Sequence, residues 1–169
     1  FNKKKNAIIV NSLSKNYGIS GWRIGYCITN KELTNQILKL NQHIITCSPT
    51  ILQYYVNKYF DDILNITKPQ IDKVLNVRKK TCLYLEKKRI PFLKGDATWY
   101  IFLSIEKSYL RSERFCKRLL NKYFVSCVPG LGYGKSCDKF IRIAVGTEPW
   151  NRIAEGINRI EKLINLTLK

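Results

Sequence analysis

Two short apolar runs near the start of the chain, residues 7–10 and residues 23–28, frame a loop that contains several glycines. A continuous apolar run of this length is typical of a strand that is buried on both faces of a sheet. Gly18, Gly21 and Gly25 allow the backbone to bend and to approach a neighbouring group closely. The start of the chain is therefore predicted to form two strands of an α/β layer, joined by a loop that packs tightly.

Helical periodicity follows these strands. Asn30 is predicted to cap a helix whose apolar residues recur at helical spacing. Ser48 and Pro49 mark the start of a second helix, because a capping hydroxyl followed by proline in the first turn is typical of a helix N-terminus. Residues 67–89 are predicted to form a long third helix with Pro69 in its first turn.

The pattern changes in the second half of the chain. Short extended runs occur at residues 98–105, 125–128 and 140–145, and a helix is predicted over residues 112–123. A last helix is predicted to be capped by Thr147. Its apolar face comprises Ile153, Ile157, Ile160 and Ile164.

These elements predict two parts: an α/β layer over residues 1–66, and a linking helix with a smaller α+β unit over residues 67–169. No apolar run approaches the roughly 20 residues that span a bilayer, so a membrane is not an expected partner. The formal net charge is +18, but lysine and arginine are scattered through every segment and form no stripe interleaved with aromatic residues. Nucleic acid is therefore not an expected partner either.

The chain contains six cysteines, one histidine and no methionine. No two cysteines form a C-x-x-C pair, so a zinc site or another metal site is not expected. Most of the cysteines lie in apolar stretches, where cysteine behaves as a small buried hydrophobe, and they are predicted to be reduced thiols of a cytoplasmic protein. Because a translated protein starts with methionine and this chain begins with Phe1, it is expected to be part of a longer product.

Four side chains after the first predicted strand suggest chemistry. Ser12 and Ser14 offer hydroxyls, Lys15 offers an amine, and Arg23 offers a guanidinium. Hydroxyls and a guanidinium can form a phosphate cradle, because arginine donates two parallel N–H bonds to phosphate oxygens. A lysine held close by can attack an aldehyde carbon. Taken by themselves, these residues are also compatible with an ordinary surface loop.

The whole segment over residues 12–26, SLSKNYGISGWRIGY, closely resembles the segment that attaches pyridoxal 5'-phosphate (PLP) in class I and II aminotransferases of fold type I. The family pattern is roughly S-x-S-K-x-x-G-x-x-G-x-R-x-G, and every element of it is present. The resemblance implies that Lys15 is the catalytic lysine that binds PLP covalently. It also implies that Ser12, Ser14 and Arg23 bind the cofactor phosphate.

A second match lies near the other end of the chain. Residues 140–146, FIRIAVG, are similar to a strand of the small domain in the same family. The resemblance implies that Arg142 binds the substrate α-carboxylate, for which the two-pronged guanidinium is suited. Two further segments resemble small-domain segments that approach the substrate, and ordinary packing is expected for their aromatic residues Trp99 and Tyr133.

The resemblance implies an α/β fold in which the C-terminal part of a PLP-transferase large domain, residues 1–66, precedes a small α+β domain, residues 67–169. It implies transfer of an amino group between an amino acid and a 2-oxo acid by a cytoplasmic homodimer of the aspartate, aromatic or histidinol-phosphate type. The family's earlier motifs, including the Asp that pairs with the cofactor ring nitrogen, do not occur here, so a C-terminal fragment is expected. Two alternatives stay open: another fold type I PLP enzyme, such as a lyase or decarboxylase, and an inactive basic fragment.

Overall fold

The computed structural model of the chain describes residues 7–95, 97–146 and 148–168. Within these residues, no helix is both long enough and apolar enough to cross a membrane.

The chain forms two compact units, Phe1–Asp72 and Lys73–Lys169. The division falls inside a long helix, Phe60–Lys87, so the connection between the units is helical. The assignment of residues 1–66 and 67–169 to two domains stays a prediction.

The first unit contains a two-stranded antiparallel ladder. Strand β1 (Ile9–Ser12) pairs with strand β2 (Gly25–Ile28). The connection between them contains a one-turn helix, α1 (Leu13–Asn16), and a 3-10 turn (Ser20–Trp22). Both strands overlap the predicted runs. Each strand begins two residues later than its apolar run, at the first residue that pairs with the other strand.

The prediction that these strands are buried on both faces is wrong. Every residue of β2 is exposed, and Val10 in β1 is 79% exposed. The two strands pair only with each other, and the described residues of the first unit leave the faces of the ladder largely uncovered. The buried apolar side chains of this unit are Leu13 and Ile24, which lie at the end of the ladder.

Two amphipathic helices follow the ladder. Helix α2 (Lys31–Ile44) begins after Asn30, whose Oδ1 accepts a hydrogen bond from the Leu33 N–H at 2.8 Å, so the predicted cap is confirmed. Helix α3 (Thr50–Lys58) begins where a helix is predicted, but Pro49 stands at the N-cap instead of in the first turn. All residues of both helices are described, and none of them is buried.

Helix α4 (Phe60–Lys87) is longer than predicted. The sequence pattern predicts residues 67–89 with Pro69 in the first turn, whereas the helix starts earlier and Pro69 lies in its interior. Asp61 and Asp62 favour the earlier start, because acidic side chains are stabilising beside the partial positive charge of a helix N-terminus. Proline has no N–H, so Pro69 forgoes one helical hydrogen bond there.

The second unit contains a three-stranded antiparallel sheet, the C-terminal part of α4 and two further helices. Its strands are β3 (Tyr100–Ser104), β4 (Val128–Pro129) and β5 (Phe140–Ala144), and the further helices are α5 (Ser112–Tyr123) and α6 (Trp150–Asn165). The strand order is β3-β5-β4, so β5 lies in the centre and pairs along its whole length with β3. Each strand overlaps a predicted extended segment, and α5 has the predicted bounds.

The hydrophobic core lies in the second unit, between one face of this sheet and the helices. Helix α6 contributes the four isoleucines predicted from its periodicity, all of which are buried. Its predicted cap, Thr147, lies outside the described residues, and Pro149 stands at the N-cap. Side chains with the deepest burial include Leu85, Leu103, Phe115, Leu119, Ile141 and Leu163.

The cysteines differ from the sequence expectation. All six are free thiols, but Cys116 alone among them is buried, and Cys27 and Cys47 are exposed. The prediction that most are small buried hydrophobes is therefore wrong, because the apolar stretches of the first unit that contain Cys27 and Cys47 are themselves exposed.

Candidate active site

The end of the β1–β2 ladder brings together the two segments that carry the predicted cofactor residues. The antiparallel register places Ser12 opposite Gly25. One residue further on, the Leu13 N–H donates a hydrogen bond to the Ile24 carbonyl oxygen at 3.2 Å. The connection from β1 to β2 leaves and re-enters the ladder at this end. The residues just after β1 therefore lie close to the residues just before β2.

Gly25 allows this close pairing. A Cβ atom at Gly25 would lie 2.7 Å from the Asn11 carbonyl oxygen and 3.5 Å from the Ser12 Cα. A contact of 2.7 Å with a backbone atom is too short for carbon and oxygen, so any larger residue would push the strands apart. The glycine that the sequence pattern places here therefore sets the spacing at the end of the ladder.

Helix α1 fixes Ser12, Ser14 and Lys15 on one tight turn. Ser12 is its N-cap, and the Ser12 Oγ accepts a hydrogen bond from the Ser14 N–H at 3.1 Å. Leu13 is buried and anchors the turn. Ser14 and Lys15 are half-buried.

Arg23 lies on the other segment in an uncommon conformation. The sequence pattern places it inside the second strand, whereas the structure places it just before β2 with φ 56° and ψ 42°. A non-glycine residue in this left-handed region costs roughly 1–3 kcal/mol. The Arg23 Nη1 donates to the Ser20 carbonyl oxygen at 3.0 Å, which satisfies part of the guanidinium. The strained backbone directs Arg23 out of the ladder pattern, and Arg23 is exposed.

Arg142 belongs to the second unit and lies on the central strand β5. Its neighbours Ile141 and Ile143 are buried, because alternate residues of a strand point to opposite faces. Arg142 therefore points away from the core, and it is half-buried. Its partners in the register are the apolar residues Phe102 on β3 and Val128 on β4.

Two tyrosine rings flank the Arg142 guanidinium. Its central carbon lies 4.3 Å from the centroid of the Tyr100 ring and 5.3 Å from that of the Tyr133 ring. The Tyr133 ring also packs edge-on against Phe102, with centroids 5.0 Å apart. Aromatic faces attract a planar guanidinium and restrict its rotation.

The sequence reasoning placed Tyr100 at the end of a segment that resembles a family strand near the substrate, but it gave Tyr100 no role and did not connect Tyr133 with Arg142. Tyr100 could have been found from the alternation of β3 combined with its antiparallel pairing to β5, which places it on the same face as Arg142. Tyr133 lies in a 3-10 turn, and no periodic signal links such a turn to a strand. Trp99 packs against Gly146, where a Cβ atom would lie 3.1 Å from the Trp99 Cγ.

A buried carboxylate holds the turn that carries Tyr133. The Asp138 Oδ2 accepts a hydrogen bond from the Arg111 Nη1, and its Oδ1 accepts one from the Ser112 Oγ, both at 2.8 Å. The Arg111 guanidinium and the Ser112 hydroxyl hold the pKa of the Asp138 carboxyl below its usual value. The Ser112 Oγ in turn accepts the Leu131 N–H at 3.1 Å, and Leu131 lies in the same turn as Tyr133.

The five predicted site residues thus fall into two groups. Within the first unit, the structure brings together the segments that carry Ser12, Ser14, Lys15 and Arg23. Within the second unit, it surrounds Arg142 with aromatic rings.

Comparison with known proteins identifies the class to which this fold and these residues belong. The family of class I and II aminotransferases matches residues 1–160. The chain belongs to this family.

Individual relatives agree with the family. The chain is 32% identical to the (5-formylfuran-3-yl)methyl phosphate transaminase of Methanocaldococcus jannaschii, over 94% of this chain and 42% of that protein. It is 31% identical to the LL-diaminopimelate aminotransferase of Aquifex aeolicus, over 93% of this chain and 40% of that protein. The chain therefore spans about 40% of the length of the curated relatives that it matches.

A solved structure matches as well. The aromatic aminotransferase of Pyrococcus horikoshii superposes with a TM-score of 0.83 at 25% identity, over 96% of this chain and 44% of that one. The predicted fold class is confirmed: the chain has the α/β fold of the fold type I aminotransferases and corresponds to a C-terminal part of about 40% of their length.

Proposed function

We propose that this chain is the C-terminal part of a PLP-dependent aminotransferase that transfers an amino group between an amino acid and a 2-oxo acid. The observation that carries the proposal is the shared location of Ser12, Ser14, Lys15 and Arg23 at one end of the β1–β2 ladder. Membership of the aminotransferase family supports the same reaction class. A cytoplasmic homodimer, as is usual in the family, is part of the proposal.

The donor set at the end of the ladder fits PLP. Ser12 and Ser14 provide hydroxyls and Arg23 provides a guanidinium, which together suit a phosphate dianion. Lys15, one residue from Ser14, provides the amine that a phosphate-bearing aldehyde requires. When bound, PLP supplies an electron sink that makes the Cα proton of an amino acid removable.

Lys15 performs the acid–base work in this proposal. With PLP bound, the Lys15 amine would take the proton from the substrate Cα and deliver it to the former aldehyde carbon of the cofactor, which is the proton shift that amino transfer requires. Helix α1 supports this role, because Ser12 caps it and buried Leu13 anchors it, so the turn that carries Lys15 is held in place. A positioned acid–base group of this kind contributes about 10²–10⁴-fold in rate.

Arg142 binds the substrate α-carboxylate in this proposal. Two parallel N–H donors of a guanidinium match the two oxygens of a carboxylate. The Tyr100 and Tyr133 rings support the role, because they limit the orientations that the guanidinium plane can adopt. Arg142 is half-buried and therefore partly accessible to a ligand.

Borohydride trapping tests the cofactor role of Lys15. The gene product that contains this chain is incubated with PLP and reduced with borohydride, and the label at each lysine is quantified by mass spectrometry. We expect Lys15 to be labelled far more than Lys31, an exposed lysine at the start of α2. Inorganic phosphate should protect Lys15 and leave Lys31 unaffected, because only Lys15 stands beside a phosphate cradle.

Matched variants make the result decisive. Lys15→Arg should remove the dominant label and abolish amino transfer to a 2-oxo acid, whereas Lys31→Arg should leave both unchanged. Arg23→Gln should weaken the protection by phosphate. Equal labelling of Lys15 and Lys31 in the wild-type protein would overturn the proposed cofactor site. Amino transfer that persists in Lys15→Arg would overturn the proposed catalytic role.

A further inference from the structure

Two cysteine sulfurs of the second unit lie in contact. Cys116 on α5 and Cys127, in the segment that leads into β4, have Sγ atoms 3.2 Å apart. Cys116 is buried and Cys127 is half-buried, and both pack in the hydrophobic core. A disulfide bond is about 2.05 Å long, so the two sulfur atoms are already within about 1.2 Å of bonding distance.

The environment of the pair distinguishes the two thiols. A hydrogen bond from Cys127 lowers the pKa of the Cys116 thiol, because a donor beside sulfur stabilises the thiolate. The same hydrogen bond, together with burial, raises the pKa of the Cys127 thiol. The lowered pKa favours the thiolate at Cys116, and the thiolate is the reactive form of cysteine. Cys82, by contrast, has a pKa raised mainly by burial.

We propose that Cys116 and Cys127 form a redox site, in which hydrogen peroxide converts the two thiols into an intramolecular disulfide. The Cys116 thiolate attacks one peroxide oxygen, so that an S–O bond forms and the O–O bond breaks, and hydroxide leaves and takes up a proton. The Cys127 sulfur then attacks the oxidised Cys116 sulfur. An S–S bond forms, the S–O bond breaks, and water leaves with the Cys127 proton. Two thiols and one peroxide thus give one disulfide and two waters.

The bond would tie a helix to the sheet next to Arg142. Cys127 immediately precedes Val128, and Val128 is the partner of Arg142 in the register of β4 and β5. Oxidation therefore fastens α5 to the strand beside the proposed carboxylate site, and a dithiol reductant reverses it. This redox site does not depend on the proposed aminotransferase function, because it rests on the contact between two thiols in the core of the second unit.

Peptide mapping of the chain tests the proposal. The folded protein is treated with hydrogen peroxide, remaining thiols are alkylated, and trypsin cuts at Lys117, Arg118 and Lys122, which lie between the two cysteines. The disulfide should therefore appear as two joined peptides, residues 115–117 and residues 123–135, each with a single cysteine. The intact chain should lose two of its six alkylatable thiols and the mass of two hydrogen atoms.

The controls distinguish a disulfide that the folded structure selects from random oxidation of cysteines. Cys137→Ser should leave the joined peptides unchanged, whereas Cys127→Ser should abolish them and leave Cys116 with a single oxygen. The chain oxidised in denaturant should give mixed pairings, because the contact then no longer selects the partner. The proposal is overturned if the folded wild-type chain yields the two peptides only as separate species, or joined to other cysteines as often as to each other.

Discussion

The Arg142 guanidinium lies against the Tyr100 ring, with 4.3 Å between its central carbon and the ring centroid. The two residues lie on adjacent antiparallel strands and on the same face of the sheet, opposite the core. Stacking on a ring leaves the in-plane N–H donors of the guanidinium available to a ligand. The contact therefore orients the N–H donors of Arg142 and leaves them available to bind a ligand.

Replacing Tyr100 should weaken substrate binding and leave catalysis largely intact. A cation–π contact at a partly exposed site contributes about 0.5–1 kcal/mol. We expect Tyr100→Leu to raise the KM for the amino acid about two- to fivefold, with little change in kcat, because the variant loosens Arg142 and touches no reacting atom. Steady-state kinetics of the gene product that contains this chain measure both values. Tyr109→Leu, which removes an exposed tyrosine of the same unit, is the matched control. A fall in kcat at constant KM would contradict the positioning role.

Gly25 and Gly21 should respond differently to alanine. A methyl group at Gly25 meets the Asn11 carbonyl oxygen at 2.7 Å, whereas one at Gly21 meets nothing within 4 Å. We expect Gly25→Ala to destabilise the first unit by about 1–3 kcal/mol, the usual cost of forcing atoms into a filled space. Urea unfolding followed by the fluorescence of the three tryptophans, of which Trp22 lies in the first unit, measures the change. Equal unfolding midpoints for the two variants would show that the spacing at the end of the ladder is not critical.

The Asp138 carboxylate should make the second unit sensitive to acid. Its pKa in the folded chain lies below the ordinary value of 3.8, mainly because Arg111 and Ser112 donate hydrogen bonds to it. A lowered folded-state pKa contributes stability above pH 3.8 that is lost as the pH falls through the folded-state value. Asp138→Asn should therefore lower the unfolding midpoint at neutral pH, and the difference from wild type should vanish in strong acid.

An exposed carboxylate gives the control for this pH dependence. Asp72 forms an ion pair with Lys68 on the surface of α4, where the two side chains are 50% and 65% exposed. Such pairs contribute about 0–1 kcal/mol. Asp72→Asn should leave the unfolding midpoint close to wild type at every pH. A difference for Asp138→Asn that persists unchanged in strong acid would show that its effect is steric.

Local patterns in the sequence were sufficient for several elements. Asn30 caps α2, α5 has the predicted bounds, and the isoleucines of α6 are buried, because capping and amphipathic periodicity depend on residues within a few positions of one another. The burial of β1 and β2 was predicted wrongly. An apolar run shows that a strand can be buried, but it does not show which other segments pack against the strand. The prediction that Pro69 lies in the first turn of α4 was also wrong, because the helix starts at Phe60, nine residues before the proline.

The sequence by itself determined the family, through the spacing of Ser12, Ser14, Lys15 and Arg23, and the face of β5 on which Arg142 lies, through strand alternation. Only the tertiary structure decided which groups these residues meet. Arg23 takes up its left-handed backbone where the 3-10 turn meets strand β2. The stack of Arg142 on Tyr100 and Tyr133 requires a strand register and a turn that are distant in sequence. Pairings of this kind depend on chain segments that meet only when the core forms, so no local pattern encodes them.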